Sequence, residues 1–435
     1  MQRKLIHDLC RWKTNSSRKP LVLEGARQVG KTYLLQQFGR EQYEHTVYVN
    51  FDRLDPDIAE LFAGAIHPAR IIDFLAVKYS TAIVPGETLV IFDEVQELPR
   101  ALASLKYFAE DAPEYHIVAA GSLLGVTLHP GTSFPVGKVD FLRLEPLSFE
   151  EFCWALGLKD KMEYMRQDLQ QNNLFKDELT DAFWQYMAVG GMPRAVVEWL
   201  DSKNMAAVDE ILTGILHSYR NDFSKHTDPL QAERMNLIWQ SIPAQFAKEH
   251  RRFVYGVARP GARAREYELS IAWLVDAGLV RKVYSVSSGD KLPLEAYKDI
   301  QAFKLYLLDL GLLRVLSGLS SGDIIGSDDL FRQFGGMFAE QYVLQQLADR
   351  TMYYWTSGAQ SEVDFVTQLK GGIVPIEVKS GMNVKGKSLR VYRERYRPEL
   401  SIRCSMRDIE HNDGLLNVPL YQLWLLDELI ERKVE

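Results

Sequence analysis

The feature that most constrains the fold is a stretch of eight residues near the N-terminus. Residues 25–32 read Gly-Ala-Arg-Gln-Val-Gly-Lys-Thr, which fits the pattern G-x-x-x-x-G-K-[ST] at every defined position. The apolar run PLVLE precedes this stretch, and the helix-forming run LLQQF follows it. A strand, a glycine-rich loop and a helix in this order are typical of a parallel sheet covered by helices. The sequence therefore predicts an α/β fold.

The same loop predicts a phosphate-binding site. Gly25 and Gly30 allow the backbone to wrap around phosphate groups, so that the N–H groups between them point inward. Lys31 then reaches the β- and γ-phosphates and assists catalysis, and the Thr32 hydroxyl becomes a ligand of Mg²⁺. The alternative is a glycine-rich turn without a ligand. The predicted nucleotide-binding residues of the loop are Gly25, Ala26, Arg27, Gln28, Val29, Gly30, Lys31 and Thr32.

A second motif is an apolar strand that ends in two acids. Residues 89–94 read Leu-Val-Ile-Phe-Asp-Glu, and adjacent residues at the end of a strand can point toward a metal and a nucleophile respectively. We therefore expect Asp93 to bind nucleotide-associated Mg²⁺ and Glu94 to polarise the attacking water as the catalytic base. The alternative is a strand that ends in two solvated acids. Ser122 ends another predicted strand, HIVAAGS, where a sensor of the γ-phosphate is expected.

The length of the chain indicates more than one domain. Its 435 residues exceed the roughly 250–300 at which a single hydrophobic core stops growing. Alternating strand and helix patterns predict the P-loop domain at 1–155, and helical patterns predict a helical lid at 156–230. The order of helices and strands at 231–320 resembles a winged helix. A Ser-, Gly- and Asp-rich stretch at 317–329 is the predicted linker to a small α/β domain at 330–435.

Composition favours a soluble protein in a reducing compartment. No window approaches the ~18 uncharged apolar residues that a membrane span needs. The first residues, MQRKLIHDLCRW, carry charges where a secretory signal would be apolar. Cys10, Cys153 and Cys404 lie far apart, so we expect neither disulfides nor structural zinc. These features predict a cytoplasmic protein without a membrane segment. The net charge of −7 restricts any nucleic-acid contact to local basic patches.

The C-terminal region carries the D…E-x-K arrangement of metal-dependent nucleases in two apolar strands, EVDFV and PIEVK. The glycine pair at 371–372 lies between them and predicts a hairpin turn. With these two glycines as the turn, Asp364 pairs opposite Lys379, and Glu377 shares the face of the sheet with Lys379. The three side chains are therefore expected to converge.

These side chains predict a second metal site. Asp364 and Glu377 supply the oxygen ligands that Mg²⁺ prefers, and Glu340 on the preceding helix completes the acidic cluster. Lys379 is the predicted catalytic cation, which orients the water or offsets charge on a scissile phosphate. Two alternatives remain open. One is a solvent-exposed hairpin with scattered charges, and the other is a nuclease-like fold that is used only for binding.

A basic segment follows this site. Between Lys379 and Arg403 there are eight Lys or Arg against Glu394 and Glu399, with two tyrosines interleaved, which is typical of a groove along a nucleic-acid backbone. A solvated helix face is the alternative. A weaker patch extends from Lys248 to Arg265 in the winged-helix region, but winged helices also serve purely as packing modules. The first patch comprises Lys379, Lys385, Lys387, Arg390, Arg393, Arg395, Arg397 and Arg403, with Tyr392 and Tyr396.

In order along the chain, these motifs resemble a prokaryotic family of AAA+ ATPases that end in a domain of unknown function similar to PD-(D/E)XK nucleases. The resemblance extends through GARQVGKT, VIFDEVQ, AAGSLL, LEPLSFEEF, VGGMPRAV, FKLYLLDLGLL and EVDFV…PIEVKSG. It implies binding and hydrolysis of ATP with Mg²⁺. AAA+ modules usually complete hydrolysis with a residue from a neighbouring copy, so a homo-oligomer is expected. The chain has Gly137-Lys138 where Gly-Arg is expected, and lysine lacks the guanidinium fork.

Two functions are compatible with these features. In the first, ATP binding and hydrolysis control a nuclease that acts on DNA through Asp364, Glu377 and Lys379. In the second, the ATPase is a nucleotide-gated switch, and its C-terminal domain binds a partner or nucleic acid without cleaving it. The complete set of two acids and a lysine favours the first function. The acidic overall charge and the lack of a recognised helicase motif restrain that preference.

Overall fold

The chain divides into two compact units. The first, called the N-terminal unit here, contains residues 2–145 and 276–279, and the second, the C-terminal unit, contains Met1, residues 146–275 and residues from 280 onward. For residues 328–334 only the backbone is described, and residues 321–327 of the predicted linker lie outside the described part. The computed structural model describes residues 1–53, 55–122, 137–167, 174–246, 252–320, 328–358, 361–382 and 386–431.

A parallel sheet is the centre of the N-terminal unit, which confirms the predicted α/β fold. Its described strands are β1 (Leu21–Glu24), β2 (His45–Asn50), β3 (Thr88–Asp93), β4 (His116–Ala120) and β5 (Asp140–Arg143). Their order across the sheet is β2-β3-β4-β1-β5, and every pair is parallel. The carboxyl ends of β1, β3 and β4 therefore meet at one edge of the sheet, where ligands of such folds bind.

The central strands are buried along their whole length, which explains their continuous apolar sequences. Every residue of β3 and β4 is buried, as expected for a parallel sheet with helices on its faces. The rings of Phe51, Phe62, Phe92 and Phe108 make edge-on contacts in this core, with centroids 5.6–6.4 Å apart. The helices of this unit are α1 (Ile6–Thr14), α2 (Lys31–Gln42), α3 (Pro56–Ala63), α4 (Pro68–Lys78) and α5 (Pro99–Asp111).

The first part of the C-terminal unit is helical. Its first helix begins with a capping box, because the side chains of Ser148 and Glu151 each accept a hydrogen bond from the other's backbone N–H. The role of residues 156–230 as a lid stays a prediction. The described helices are α6 (Phe149–Ala155), α7 (Lys159–Gln167), α8 (Lys176–Val189), α9 (Pro193–Ser202), α10 (Met205–His226), α11 (Pro229–Phe246), α12 (Tyr255–Ala258) and α13 (Ala264–Asp276).

A mixed sheet follows in the same unit. Its described strands are β6 (Val280–Val286), β7 (Lys298–Leu307), β8 (Tyr353–Thr356), β9 (Glu362–Leu369), β10 (Gly372–Val378), β11 (Ser401–Ser405), β12 (Glu410–Asn412) and β13 (Leu415–Pro419). Their order is β12-β13-β11-β10-β9-β8-β6-β7. The strand β6 pairs in parallel with β8, with Tyr284 opposite Tyr353. Strands from both predicted domains, 231–320 and 330–435, thus share one sheet, and the boundaries between those domains stay predictions.

The remaining described helices lie between and after these strands. They are α14 (Leu310–Leu316), α15 (Asp328–Gln346), α16 (Lys387–Tyr396) and α17 (Leu426–Glu431). Over the described ranges, no helix combines the length and the apolar character that are needed to cross a membrane.

Candidate functional site

The loop at residues 25–32 connects β1 to α2 and requires glycine at its first position. Gly25 has φ 149° and Gly30 has φ 95°, in the part of backbone space that favours glycine. A Cβ atom on Gly25 would lie 2.4 Å from the carbonyl oxygen of Leu144, the residue after β5. A side chain at position 25 would therefore displace the loop. Gly30 directly precedes Lys31, the first residue of α2, so the loop ends at a helix N-terminus, which favours anions.

The Lys31 side chain is buried and held inside this loop. Its Nζ donates hydrogen bonds to the carbonyl oxygens of Gly25 and Ala26, at 2.8 and 2.9 Å. Burial lowers the pKa of Lys31 to about 8, and the nearby carboxylates of Glu94 and Asp93 oppose this shift. The amine lies among the backbone groups of the loop, where phosphate oxygens can replace the two carbonyls as its partners.

Asp93 connects the loop to the end of β3. Its Oδ2 accepts hydrogen bonds from Thr32 Oγ1 and from the Tyr48 hydroxyl, both at 2.7 Å. Its Oδ1 accepts one from the backbone N–H of Glu94, at 3.0 Å. The side chain is almost fully buried, with 2% of the residue exposed. The structure thus brings together two motifs whose linked residues are 61 positions apart.

Glu94 directly follows β3, where the chain turns sharply. Its φ is 51°, a left-handed conformation that residues with a Cβ atom rarely adopt. The side chain is half-buried, and Gln96 Nε2 donates a hydrogen bond to Glu94 Oε2. The position of Glu94 beside Asp93 is compatible with a catalytic base, and this role stays a prediction.

Ser122 lies just beyond β4, at the same edge of the sheet. Arg27 Nε donates a hydrogen bond to Ser122 Oγ at 3.3 Å, so the phosphate loop is linked to a third strand end. The last two residues of the AAGSLL motif lie outside the described residues. Lys138, which occupies the position of an expected arginine, pairs with Glu110 at 2.9 Å.

Sequence reasoning missed two residues at this site, Tyr48 and Gln96. Burial and the hydrogen bond to Asp93 raise the pKa of the Tyr48 hydroxyl, so that it stays a donor. Tyr48 lies in β2, which pairs directly with β3, the strand that ends in Asp93. The sequence signal for its role was therefore a tyrosine in an alternating strand next to the strand with the two acids. Gln96 belongs to the motif VIFDEVQ, but no chemistry had been assigned to its amide.

The predicted hairpin near the C-terminus exists, but its turn differs from the predicted one. Lys370 and Gly371 form the turn, with φ 48° and 82°, a left-handed pair that suits two-residue hairpins. Gly372 is already a strand residue and pairs opposite Leu369. The predicted turn at 371–372 was therefore wrong by one residue, which shifts every pairing in the hairpin by two.

The observed pairs end with Phe365 opposite Ile376, and this register continues to Asp364 and Glu377, so the predicted pairing of Asp364 with Lys379 was wrong. Asp364 Oδ2 accepts a hydrogen bond from the backbone N–H of Val378 at 2.8 Å. Lys379 Nζ lies 3.4 Å from Glu377 Oε1, and Arg403 Nε lies 3.5 Å from Glu377 Oε2. The structure does bring these side chains together, with cations on both oxygens of Glu377.

The Glu377 carboxylate is also covered by the start of α16. Its side chain is 3% exposed, and a Cβ atom on Gly386 would lie 2.3 and 2.4 Å from its two oxygens. Gly386 is the residue before α16, so the carboxylate lies against a helix N-terminus, which stabilises a negative charge. Two cations and a helix end thus surround this acid.

Glu340, the third acid of the predicted metal site, has other partners. Its Oε2 accepts a hydrogen bond from the Tyr306 hydroxyl at 3.0 Å and lies 3.7 Å from Lys304 Nζ. Lys304 also pairs with Glu362 at 2.6 Å. Within the described ranges, no group of three or more His, Cys, Asp or Glu side chains is placed to hold one metal ion. The three predicted acids do not form a shared metal cluster in this arrangement.

The predicted basic segment is divided by the fold. Tyr392 is buried, and its hydroxyl donates to the carbonyl oxygen of Gly289 at 2.6 Å, so its ring is not available for base stacking. Tyr396 is half-buried and accepts a hydrogen bond from Trp355 Nε1 at 3.2 Å. Lys248 and Lys385 lie outside the described residues. The exposed cations on and just after α16 are Lys387, Arg390, Arg395 and Arg397.

Three family models match successive parts of the chain. Residues 17–153 match the AAA domain family AAA_14. Residues 180–323 match a domain of unknown function, DUF8612, and residues 335–423 match another, DUF4143. None of the proteins with curated descriptions matches the chain.

Several solved structures are similar to parts of this fold. The Walker-type ATPase paby2304 of Pyrococcus abyssi is 17% identical, with a TM-score of 0.45 over 73% of this chain and 95% of that chain. The Aeropyrum pernix ORC1 protein, solved in complex with DNA, is 16% identical, with a TM-score of 0.29 over 73% and 91%. The Thermotoga maritima RuvB Holliday junction branch migration motor is 15% identical, with a TM-score of 0.31 over 65% and 89%.

The sequence motifs, the sheet and the family match agree for the N-terminal unit. The glycine-rich loop follows β1, the paired acids follow β3, and the match to the AAA domain spans both motifs. The descriptions of the other two families name no activity. The chain therefore contains a P-loop ATPase domain of the AAA type, followed by two domains of unknown function.

Proposed function

We propose that the N-terminal unit binds ATP with Mg²⁺ and hydrolyses it. One contact carries the proposal: the hydrogen bond of 2.7 Å from Thr32 Oγ1 to Asp93 Oδ2. A hydroxyl and a carboxylate at one point are hard oxygen ligands of the kind that Mg²⁺ prefers. These two residues would hold the ion, which offsets charge on the phosphates.

The other residues of the site have separate tasks in this proposal. The backbone N–H groups of the loop and the start of α2 bind the phosphate oxygens. Lys31 exchanges its two carbonyl partners for the β- and γ-phosphates. Glu94 accepts the proton of the attacking water. Arg27 and Ser122, which are hydrogen-bonded to each other, contact the γ-phosphate from the ends of the loop and of β4.

Two substitutions separate binding from turnover. Lys31→Ala should remove most of the affinity for ATP, because it deletes the cation that faces the phosphates. Glu94→Gln should retain ATP binding but lower turnover by about 10²–10⁴-fold, because only this residue acts on the water. Calorimetric titration with MgATP measures the first effect, and phosphate release measures the second.

Lys106→Ala is the matched control, because Lys106 is an exposed lysine of the same unit, and it should bind and turn over ATP like the wild type. Equal ATP affinity in Lys31→Ala and the wild type would refute the assignment of the loop. The expected homo-oligomer stays a proposal, which a specific rate that rises with protein concentration would support.

We also propose that the C-terminal unit binds nucleic acid at α16. The supporting observation is that Lys387, Arg390, Arg395 and Arg397 are all exposed on or just after this helix. Cleavage needs free carboxylates for a divalent ion, whereas Glu377 already contacts Lys379, Arg403 and the start of α16. This arrangement favours binding without cleavage, the second of the two functions that the sequence left open.

The salt dependence of DNA binding tests this second proposal. Replacing Arg390, Arg395 and Arg397 together by alanine should weaken binding and lower the slope of log K against log salt by about one for each phosphate that is no longer neutralised. Unchanged binding and slope would refute it. The control replaces three exposed cations elsewhere in the C-terminal unit, and these are Arg194, Lys203 and Lys225.

The same protein tests cleavage. With Mg²⁺ and single-stranded, duplex or branched DNA, no cut product is expected from the wild type. Cleavage that Asp364→Ala and Lys379→Ala both abolish would instead establish the first function, that of a nuclease.

A further inference from the structure

The motif VIFDEVQ continues past Asp93 and Glu94 and ends at Gln96. Gln96 has no role in the reaction described above. Val95–Glu97 forms a single 3-10 turn after Glu94. Gln96, in the middle of this turn, is buried, with 7% of the residue exposed. A long polar side chain with that burial is normally fully hydrogen-bonded, so its partners indicate what it does.

Only one end of the Gln96 amide has a partner among the described residues. Its Nε2 donates to Glu94 Oε2, whereas its buried Oε1 receives no hydrogen bond from them. An unpaired buried carbonyl oxygen opposes folding. Among the described residues, the amide of Gln96 is thus committed to Glu94, the residue proposed as the base.

The backbone at Glu94 supports the same interpretation. Glu94 is left-handed, with φ 51° and ψ 44°, a conformation that persists for a residue with a Cβ atom only where its surroundings impose it. The backbone N–H of Glu94 donates to Asp93 Oδ1 at 3.0 Å, and its side chain is held by Gln96. Hydrogen bonds thus hold the backbone N–H and the Oε2 atom of Glu94. The other carboxylate oxygen, Oε1, is the one that can face a water.

We infer that Gln96 is a positioning residue for ATP hydrolysis, whose amide N–H holds Glu94 Oε2 so that Oε1 faces the attacking water. This inference rests on the proposed function, because it requires Glu94 to act as the base. Gln96 itself contacts neither nucleotide nor water in this role. A base that is misplaced by about 1 Å loses on the order of 10²-fold in rate, so the contact is expected to affect turnover and not ATP binding.

Gln96→Met tests the inference, because methionine keeps the length of the side chain and removes the amide. Turnover should fall by about 10- to 100-fold, with the KM for ATP unchanged. The unfolding temperature should stay the same or rise, since the substitution also removes the unpaired carbonyl oxygen. A purely structural role predicts the opposite combination: a lower unfolding temperature with normal turnover of the folded fraction.

The matched control is Gln37→Met. Gln37 also donates from its amide to a glutamate, Glu41, at 2.8 Å, on α2, and its replacement should leave turnover unchanged. In the Glu94→Gln background, Gln96→Met should lower single-turnover hydrolysis no further, because the two residues then act as one unit.

The outcomes distinguish this inference from the function on which it depends. Turnover of Glu94→Gln at the wild-type rate would contradict the proposed base itself. A strongly impaired Glu94→Gln together with a fully active Gln96→Met would leave the ATPase proposal intact and overturn the role of Gln96. Independent, multiplicative losses in the double variant would also overturn it.

Discussion

Lys31 is a cation in a buried position, and its protonation therefore responds to its surroundings. Burial lowers its pKa to about 8 in the free protein. Bound phosphates favour the charged amine, so the pKa of Lys31 is higher in the complex than in the free protein. Between these two values ATP binding takes up a proton. The affinity for ATP should thus be constant with respect to this group below pH 8 and fall above it.

The decrease should approach about tenfold per pH unit above pH 8. It can be measured as the affinity for a non-hydrolysable ATP analogue with Mg²⁺ between pH 7 and 9.5, with Glu94 kept in place because its carboxylate opposes the shift of the Lys31 pKa. Lys31→Arg is the control, because a guanidinium stays charged throughout this range, and its profile should be flat. Equal slopes in the two proteins would assign the titration to another group.

Among individual residues, those that belong to short contiguous motifs could be predicted from the sequence. Those whose role depends on strand pairing or on a turn of the chain could not. Lys31, Thr32 and Asp93 belong to short motifs whose chemistry can be read from the residues alone. Tyr48 reaches Asp93 because β2 is the neighbour of β3, which no local pattern encodes. Gln96 is part of the motif VIFDEVQ, but its contact with Glu94 depends on how the chain turns after Glu94.

At the scale of elements, the loop between α8 and α9 packs against the start of α14. The buried Asp309 carboxylate accepts a hydrogen bond from the backbone N–H of Gly191 at 2.6 Å. A Cβ atom on Gly190 would lie 2.5 Å from the backbone nitrogen of Gly311, and one on Gly191 would lie 2.2 Å from the carbonyl oxygen of Leu147. Three motifs of the sequence, LEPLSFEEF, VGGMPRAV and FKLYLLDLGLL, thus meet in direct backbone contact.

Gly191→Ala should lower the free energy of unfolding by about 1–3 kcal/mol, because the added methyl group forces rigid backbone apart. Gly214→Ala is the matched control, since a Cβ atom there meets nothing within 4 Å. Gly214 lies inside α10, where alanine should stabilise the protein by about 0.5–1 kcal/mol. Urea unfolding measures both changes, and coinciding curves for the two variants would contradict the close approach of Gly191 to Leu147.

The hairpin of β9 and β10 illustrates the limit of prediction for an element. Its existence was predictable from the alternating apolar strands and the glycine pair. The position of its turn was not, because Lys370 accepts φ 48°, and a two-residue turn of this kind needs two left-handed residues wherever it is placed. One position in the turn decides which side chains face each other, so the predicted partner of Asp364 was wrong although the strands were right.

At the scale of the whole molecule, the sequence predicted the parallel sheet of the N-terminal unit and not the sheet of the C-terminal unit. The first sheet follows from alternating strands and helices, which predict parallel pairing. The strands β2, β3 and β4 are neighbours in sequence and in space, whereas the position of β1 between β4 and β5 is not encoded by local patterns. The second joins β6 to β8 across α14 and α15, a parallel pairing between distant segments. Local sequence patterns predict the two strands but not that they pair with each other. For this reason a separate winged-helix domain was expected.

The pairing of β6 with β8 also determines when the C-terminal unit can be completed during synthesis. The hairpin of β6 and β7 is synthesised before β8. At about 5–20 residues per second, the 45 residues between β7 and β8 take several seconds to be added. Throughout this time β6 presents an unpaired edge, the kind of surface that pairs with strands of other chains. The edge of β6 that later pairs with β8 is therefore expected to be open to other chains during synthesis.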